Sequence, residues 1–411
     1  MCVPALGWGA PFVSTLLRGA GLVGLGNGVA HALPLLLGPW LTRLFTPVEY
    51  AAFSLTWAAA TNVAVVACGR YEYALPLARG ATRARALVAL CAWVLTGVVL
   101  LCGVWVPVLR PLEPTLTLLP VLVLALGGVQ LLSMVATRAQ RFGALALARV
   151  LQWGGAPALQ VGAGLLQLGV WGLVLAPAFA AVAACACLWL LLRAGQGAWR
   201  DVRPTHLWAV ARRYRDFPLL NTPHAFASAA QDTLALLLIT AWAGDVATGI
   251  WALALRYLKA PATLVGSAVS AALYPALTHA PNFEAARAQL QRTVRTLFLM
   301  ALPLGAAVML LGPEGFAWAF GEPWRAGGEV ARALTPYLVL HFVASPLAVV
   351  TMAWQAQAWA LRLALVGQGL FLGGLAAGLA LGGLVGAAWG VSLTMTGYFA
   401  FYLGALWRWK R

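Results

Sequence analysis

Residues 85–107 read RALVALCAWVLTGVVLLCGVWVP, with one charged side chain at the start and none after it. A helix needs about 20 apolar residues to cross roughly 30 Å of hydrocarbon, so this run is long enough to span a membrane. Backbone groups in lipid have no water to bind, which favours a helix over an open strand. The run also lacks the alternating polarity that is typical of a transmembrane barrel strand. It therefore predicts a membrane-spanning helix.

Similar apolar runs recur along the 411-residue chain, in which 62% of residues are hydrophobic and 9% are charged. A soluble domain is about a quarter charged. The runs predict twelve spans: 14–38, 48–69, 85–107, 115–137, 145–167, 171–193, 218–242, 247–275, 294–312, 331–354, 361–383 and 385–406. The predicted fold is therefore all-α, a polytopic membrane protein with about 12 transmembrane helices.

The basic residues indicate the orientation of these spans. Of the 27 Lys and Arg residues, 20 fall in the segments on one side or in the span ends next to them, and four fall likewise on the other side. The remaining three, Arg18, Arg256 and Lys259, are counted within spans. Lys and Arg gather in cytoplasmic loops, so the pattern predicts a multi-pass protein of the cytoplasmic membrane with both termini cytoplasmic. The net charge of +16 follows from this topology, and nucleic acid is not expected as a partner.

The longest polar stretch between spans, 194–217, divides the twelve helices into six and six. It predicts an N-terminal lobe over residues 1–200 (helices 1–6) and a C-terminal lobe over residues 201–411 (helices 7–12). Part of this stretch, 205–214, fits either a basic amphipathic helix on the inner membrane surface or a plain linker. Two halves with the same in/out order are typical of transporters, whose sites lie between the halves, so we expect a central cavity.

Ionisable groups within spans are costly and are therefore candidate functional residues. Arg18, near the start of the first span, fits an interfacial anchor or a cavity-lining cation. Arg256 and Lys259 are three residues apart in the eighth span and share a helical face. Two cations on one face favour contact with water or with an anion. The alternative is partnership with helix carbonyls or a nearby acid.

Two further sets of polar residues are candidates, one at the end of the second span and one within the seventh span. Arg70 and Glu72 close the second span, and the pattern favours structural pairing for Glu72. In the seventh span, Asn221, His224 and Asp232 belong to a stripe with helical spacing that faces a neighbouring helix or a water-filled cavity. Asp232 pairs with one of the two cations of the eighth span, which is the favoured interpretation, or takes up a proton during transport.

The sequence lacks the motifs of common catalytic and cofactor sites. It contains no Walker A string, no HExxH, no GxSxG, and no acidic cluster with metal-ligand spacing. Its six cysteines have neither metal-site spacing nor a plausible disulfide partner. We therefore expect no cofactor and no metal, and a transporter rather than an enzyme.

Several strings, in order along the chain, resemble those of Wzx-type oligosaccharide flippases of the multidrug/oligosaccharidyl-lipid/polysaccharide exporter superfamily. They are Arg43–Tyr50, Gly69–Leu77, Tyr214–His224, Trp251–Arg256, Gly266–Val269, Phe320–Arg325 and Phe342–Pro346. The resemblance implies a two-lobed fold and export of undecaprenyl-pyrophosphate-linked oligosaccharide across the bacterial inner membrane, for O-antigen, capsule or exopolysaccharide synthesis. It also implies that Arg18, Arg70 and Arg256, with Lys259 beside Arg256, hold the pyrophosphate.

The partners expected from this resemblance are the polyprenyl-pyrophosphate-linked glycan, membrane lipids, a polysaccharide polymerase and glycosyltransferases. Two other functions fit the same architecture. A drug/cation antiporter related to the multidrug exporters would need a membrane-embedded acid, for which Asp232 is the candidate, whereas three basic groups lie in spans. A non-transporting scaffold for glycan assembly would have a closed, apolar interior. The excess of intramembrane cations favours an anionic substrate.

Overall fold

The computed structural model describes residues 28, 32–192 and 204–409, and every regular element in them is a helix. The all-α prediction is therefore confirmed. The α-helices are α1 (32–44), α2 (Pro47–Val66), α3 (Ala81–Leu109), α4 (Leu119–Arg138), α5 (Phe142–Arg149), α6 (Gly155–Leu165), α7 (Gly169–Leu192), α8 (Pro204–Arg213), α9 (Thr222–Thr278), α10 (Phe283–Phe320), α11 (Arg325–Ala344), α12 (Ala348–Ala353) and α13 (Gln357–Trp407).

Seven helices of the described chain are long and apolar enough to cross a membrane, and two of them are each two helices joined at glycine. In α9 the break is Gly244, with φ 82° and ψ 177°. In α13 it is the pair Gly382 and Gly383. The break at Gly244 lies between two predicted spans, and the break at Gly382 and Gly383 lies at the end of the predicted span 361–383. Gly244 and Gly383 have a positive φ, which glycine alone adopts at no steric cost. The prediction of a polytopic membrane protein is confirmed.

The start of α2 shows why one of the quoted strings has its sequence. The backbone N–H of Thr46 donates to Glu49 Oε2 at 2.8 Å, and the Glu49 N–H donates back to Thr46 Oγ1 at 3.3 Å. Pro47 occupies the first helical position, where no N–H is needed. This reciprocal capping satisfies two donors at the helix end. It fixes where α2 begins and therefore the direction in which Tyr50, one turn later, projects.

The chain divides into two compact units, which are described separately. The first contains Thr56–Ala229 and the described residues up to Leu37. In it α4 packs on α3 and α7, and α6 packs on α7. Its core joins α4, α5 and α7 through buried residues such as Leu132, Ala148 and Leu188. The stretch 205–214, for which the sequence left a helix and a linker open, is largely covered by α8, which packs against α3.

The second unit contains Gly38–Leu55 and Ala230–Arg411. Its main contacts are those of α11 with α10 and with α13. Leu297 and Val343 are buried between α10 and α11, and Leu406 of α13 belongs to a second cluster. Because Gly38–Leu55 belongs to this unit, the start of α2 packs with α9. A Cβ at Gly249 of α9 would overlap the carbonyl of Pro47. The predicted lobe boundary at residue 200 stays a prediction.

The two halves of α13 form a hairpin whose seam is made of small residues. A Cβ at Gly378 would overlap the backbone of Gly386, and one at Gly374 would lie 2.6 Å from the carbonyl oxygen of Gly390. Small residues let membrane helices approach closely, and contact between their backbones adds van der Waals attraction. The glycines of this region therefore set the distance between the last two spans.

We predict that Gly378→Ala destabilises the protein by about 1–3 kcal/mol, because an added methyl group forces the two helices apart. Gly373→Ala is the matched control, since a Cβ at that position meets nothing within 4 Å. Thermal unfolding of the purified proteins in one detergent measures the difference. A melting temperature for Gly378→Ala equal to that of Gly373→Ala would show that the seam tolerates the methyl group.

Candidate functional site: an intramembrane cation held by a tyrosine

Arg256 lies in the second half of α9, and its guanidinium is held by a neutral group. Its Nη1 donates to the Tyr50 hydroxyl oxygen at 3.0 Å. Among the described residues no carboxylate lies within ion-pair distance of Arg256. A tyrosine hydroxyl orients the guanidinium without cancelling its charge. An arginine has five N–H donors in a planar fork, so donors remain for a second partner.

Tyr50 is itself fixed by its neighbours. It is buried, and its ring meets the rings of Trp324 and Phe53 edge to face, with centroid distances of 5.5 and 5.7 Å. The indole Nε1 of Trp324 donates to the Thr42 carbonyl at 2.9 Å and is fully buried. Aromatic pairs of this geometry add about 0.5–1.5 kcal/mol beyond their buried area. Tyr50 therefore has little freedom to move away from Arg256.

Lys259, one turn beyond Arg256, has a different environment. Its Nζ lies 3.9 Å from Asp232 Oδ1 and 5.9 Å from the centroid of the Phe371 ring. Tyr337 and His341 of α11 are near enough to interact with it electrostatically. The Lys259 side chain is 27% exposed and that of Asp232 is 65% exposed. The ion pair is thus long and open on the side of the acid. Of the two adjacent cations, only Lys259 has a carboxylate partner in the described residues.

The Arg70–Glu72 pair lies at the corner after α2, in the first unit. Arg70 has φ 60°, donates to the Tyr73 hydroxyl at 3.1 Å and stacks over the Tyr73 ring at 4.6 Å. Glu72 is fully buried and accepts a hydrogen bond from Gln130 Nε2 at 2.7 Å. The described residues contain no Arg70–Glu72 ion pair within 4 Å. Glu72 therefore bonds to α4 rather than to its neighbour in sequence.

The rest of this corner is held by another arginine. Arg138, the last residue of α4, donates from Nη1 to the Leu75 carbonyl at 2.8 Å and from Nη2 to the Gly80 carbonyl at 3.3 Å. It also donates to the Ala78 carbonyl. These three hydrogen bonds hold the corner against the end of α4.

Burial raises the pKa of the Glu72 carboxyl. The backbone hydrogen bond of Glu72, the charge of Arg70 and the hydrogen bond from Gln130 offset this rise only in part.

The remaining predicted residues are not brought into these groups. Arg18 lies outside the described residues. Asn221 is exposed at the end of a π-helical turn, Phe217–Asn221, just before α9. His224 lies in the first turn of α9, and its side chain is not among those described. Both belong to the first unit, whereas Asp232 belongs to the second. No group of three potential metal ligands occurs in the part of the chain that the structure describes.

Sequence reasoning missed three residues near the two cations. Tyr50 carries no charge and is not marked by the rule for charged intramembrane groups, although it ends the quoted string Arg43–Tyr50. His341 lies inside the predicted tenth span, and the rule that intramembrane ionisable groups are candidates would have found it. Tyr337, one helical turn before His341, follows from the same rule once the face of α11 is known. These side chains supply polar and aromatic surroundings for the two cations.

The chain is similar to one protein family in sequence and to several solved transporters in structure. The model of the family "Polysaccharide biosynthesis protein" matches residues 83–327. No curated protein matches the chain significantly. The structure is similar to that of the lipid II flippase MurJ in an inward closed conformation, with a TM-score of 0.74 over 93% of this chain and 87% of that chain, at 10% identity.

Two further solved structures have the same fold. An inward-facing multidrug resistance MATE family transporter of the MOP superfamily gives a TM-score of 0.66 over 93% of this chain and 95% of that one, at 16% identity. A MOP superfamily transporter from Pyrococcus furiosus, described by the reversed polarity of its binding pocket, gives 0.55 over 95% and 96%, also at 16% identity. At these identities the likeness shows the fold alone.

We predict that Glu72→Gln flattens a pH dependence of stability. Because the folded-state pKa of Glu72 is raised, the folded protein binds more protons than the unfolded chain between the ordinary carboxyl pKa and the raised value. The free energy of unfolding therefore falls as pH rises through that window and is then constant. Thermal unfolding measured at a series of pH values from about 4 to 8, a range that begins near the ordinary carboxyl pKa, measures this decline.

In Glu72→Gln the amide oxygen still accepts from Gln130, and the decline should be smaller than in the wild-type protein. Glu329→Gln, which changes an exposed carboxylate, serves as the control and should keep the wild-type profile. Identical profiles for Glu72→Gln and the wild-type protein would contradict the assignment of this pH dependence to Glu72.

Proposed function

The chain belongs to the polysaccharide biosynthesis protein family, and we propose that it is a flippase for undecaprenyl-pyrophosphate-linked oligosaccharide. In this proposal the substrate moves from the inner to the outer leaflet of the bacterial cytoplasmic membrane by alternating access, for synthesis of a surface polysaccharide. The family match and the sequence resemblance support the pathway. The fold, which is that of membrane transporters including a lipid II flippase, supports the mode of action.

The observation that carries the proposal is the state of Arg256. An uncompensated guanidinium within a membrane span is expensive unless water or an anion reaches it. Here the oriented partner is a neutral hydroxyl, so the positive charge remains available. A pyrophosphate offers several oxygens to a planar fork of donors, and arginine binds phosphate by paired hydrogen bonds. The chemistry of Arg256 thus suits the charged linkage of a lipid-linked sugar.

The physical task of a flippase explains the need for such a group. Moving a phosphorylated sugar through hydrocarbon without compensation is prohibitively costly. A protein that offers cations along a polar path lowers this barrier, while the polyprenyl tail stays in the lipid. In the proposal Lys259 and Arg70 are further contacts for the substrate head, and Arg256 is the principal one. A polysaccharide polymerase and glycosyltransferases would then act on the two sides of this step.

A cation antiporter is the alternative with the same fold, and the state of Asp232 argues against it. Such a transporter needs an acid that is free to exchange a proton or a cation. Asp232 has Lys259 as its ion-pair partner. The balance of charge on this part of α9 is therefore positive, since one of its two cations has no acid partner in the described residues. An anionic substrate fits this balance better than a cationic one.

We predict that Arg256→Ala lowers glycan export roughly tenfold or more, the effect of losing a charge-assisted hydrogen bond worth about 1.5–3 kcal/mol. Arg256→Lys keeps the charge without the planar fork and should be intermediate. Tyr50→Phe removes the orienting hydroxyl and should also be intermediate. Export is measured as surface polysaccharide in cells that lack the native gene. Membrane abundance of each variant is measured by immunoblotting.

The control is Arg295→Ala, because Arg295 is exposed on α10 and makes no ion pair in the described residues. It should export as the wild-type protein does. Wild-type export by well-expressed Arg256→Ala would remove Arg256 from the substrate path.

The pair Lys259–Asp232 separates the flippase from the antiporter. An open ion pair contributes about 0–1 kcal/mol, so Asp232→Asn should change export less than about fivefold. Lys259→Ala should reduce export more, because it removes a cation. Asp245→Asn, at an exposed aspartate that follows the Gly244 break, is the control. Complete loss of transport in Asp232→Asn, with Arg256→Ala unaffected, would favour proton- or cation-coupled antiport.

A further inference from the structure

An apolar cavity of about 370 Å³ lies in the second unit, between α10, α11 and the last turns of α13. Its lining includes Leu290 and Phe298 of α10, Leu340 of α11, and Leu403 and Trp407 of α13. No polar surface contributes to its wall. Its volume is within the range of about 300–1,000 Å³ that is usual for ligand sites. In a membrane protein, a wholly apolar cavity of this size fits a hydrocarbon chain.

A cation stands at one end of this cavity. Arg287, Leu290, Val294 and Phe298 are spaced by three, four and four residues, so they form one stripe along α10. Leu290, Val294 and Phe298 line the cavity, and Arg287 continues the stripe beyond it. The Nη2 of Arg287 donates to the carbonyl of Trp407 at 2.6 Å, and Trp407 also lines the cavity.

The protein satisfies only part of the guanidinium of Arg287. Arg287 is half-buried, and its Nε is a buried donor that has no hydrogen-bond partner among the described residues. Arg408 follows Trp407 directly and is exposed. α10 begins and α13 ends here, so this end of the cavity lies at a face of the membrane, where tryptophan side chains are favoured. The apolar cavity therefore has cationic residues, Arg287 and Arg408, at the end that lies at the membrane face.

We propose that this cavity binds one acyl chain of an anionic membrane phospholipid, whose phosphate contacts Arg287. Basic groups beside a pocket between transmembrane helices are suited to anionic headgroups. In this proposal the acyl chain of the lipid enters between α10 and α13, and the lipid headgroup stays at the membrane face. The inference does not depend on the proposed export of oligosaccharide, because a structural lipid would be bound whatever the protein transports.

The chain offers variants that test the apolar and the charged part separately. Gly404 lines the cavity, and a Cβ built there meets nothing within 4 Å. Gly404→Leu therefore places apolar atoms in this space, and its Cβ meets no neighbouring atom. Gly397 of the same helix has equal room and does not line the cavity, so Gly397→Leu is the matched control. For the charge, Arg287→Gln is compared with Arg292→Gln, since Arg292 is exposed on the opposite face of α10.

The experiment uses the full chain purified in a neutral detergent. Phosphatidylglycerol and phosphatidylcholine with identical acyl chains are titrated in turn, and thermal unfolding and native mass spectrometry record binding. Phosphatidylglycerol should raise the melting temperature of the wild-type protein by about 2 °C or more, and phosphatidylcholine by less. Arg292→Gln and Gly397→Leu should respond as the wild-type protein does. Arg287→Gln should lose the preference for the anionic lipid, and Arg287→Lys should retain part of it.

Gly404→Leu should lose one bound phosphatidylglycerol in the mass spectrum. Three results would overturn the proposal: equal responses to the two lipids in the wild-type protein, an unchanged lipid response in Gly404→Leu, or displacement of phosphatidylglycerol by an equimolar polyprenyl phosphate. The last result would assign the cavity to the chain of a polyprenyl lipid. Because none of these measurements involves glycan export, failure here leaves the proposed flippase function to its own tests.

Discussion

The hydrogen bond between Arg256 and the Tyr50 hydroxyl is the contact on which the functional argument depends. A carboxylate in place of Tyr50 would orient the guanidinium equally well, but it would also neutralise its charge. The neutral hydroxyl of Tyr50 orients the guanidinium and leaves its charge in place. The orientation of Tyr50 depends in turn on the capped start of α2 and on the buried ring of Trp324. The electrostatic property of one side chain is therefore built from backbone and aromatic contacts that carry no charge.

Two cations three residues apart on α9 consequently differ in kind. Lys259 has Asp232 at ion-pair distance and an aromatic ring beside it, whereas Arg256 donates to the Tyr50 hydroxyl and has no carboxylate at ion-pair distance among the described residues. If both had acids, this part of the helix would be close to neutral and would offer little to an anion. If neither Arg256 nor Lys259 had an acid partner, repulsion between the two cations, three residues apart on one helix, would disfavour both charges. One compensated and one uncompensated cation is a stable way to present a single positive charge within a span.

The sequence alone predicts the helices well, because the length of an apolar run and the chemistry of glycine are local properties. The breaks at Gly244 and Gly382 fall where the apolar runs suggested separate spans. Contacts between distant residues are not local, and there the sequence left alternatives open. It left open whether Asp232 pairs with Arg256 or with Lys259. It favoured structural pairing for Glu72 but did not identify the partner, and Glu72 bonds to Gln130, 58 residues away.

The strings that resemble the flippase family are weak one by one, and their positions in the fold give a physical reason for their occurring together. The carbonyl oxygen of Thr42, next to the string Arg43–Tyr50, accepts a hydrogen bond from the indole N–H of Trp324. Trp324 belongs to the string Phe320–Arg325. Tyr50 ends the first string, contacts that same indole, and accepts from Arg256, the last residue of Trp251–Arg256. Three segments more than 60 residues apart in sequence thus meet at the side chain of Tyr50. A change at Trp324 would reach Arg256 through Tyr50 without touching any substrate, so the strings act as one unit that positions a charge.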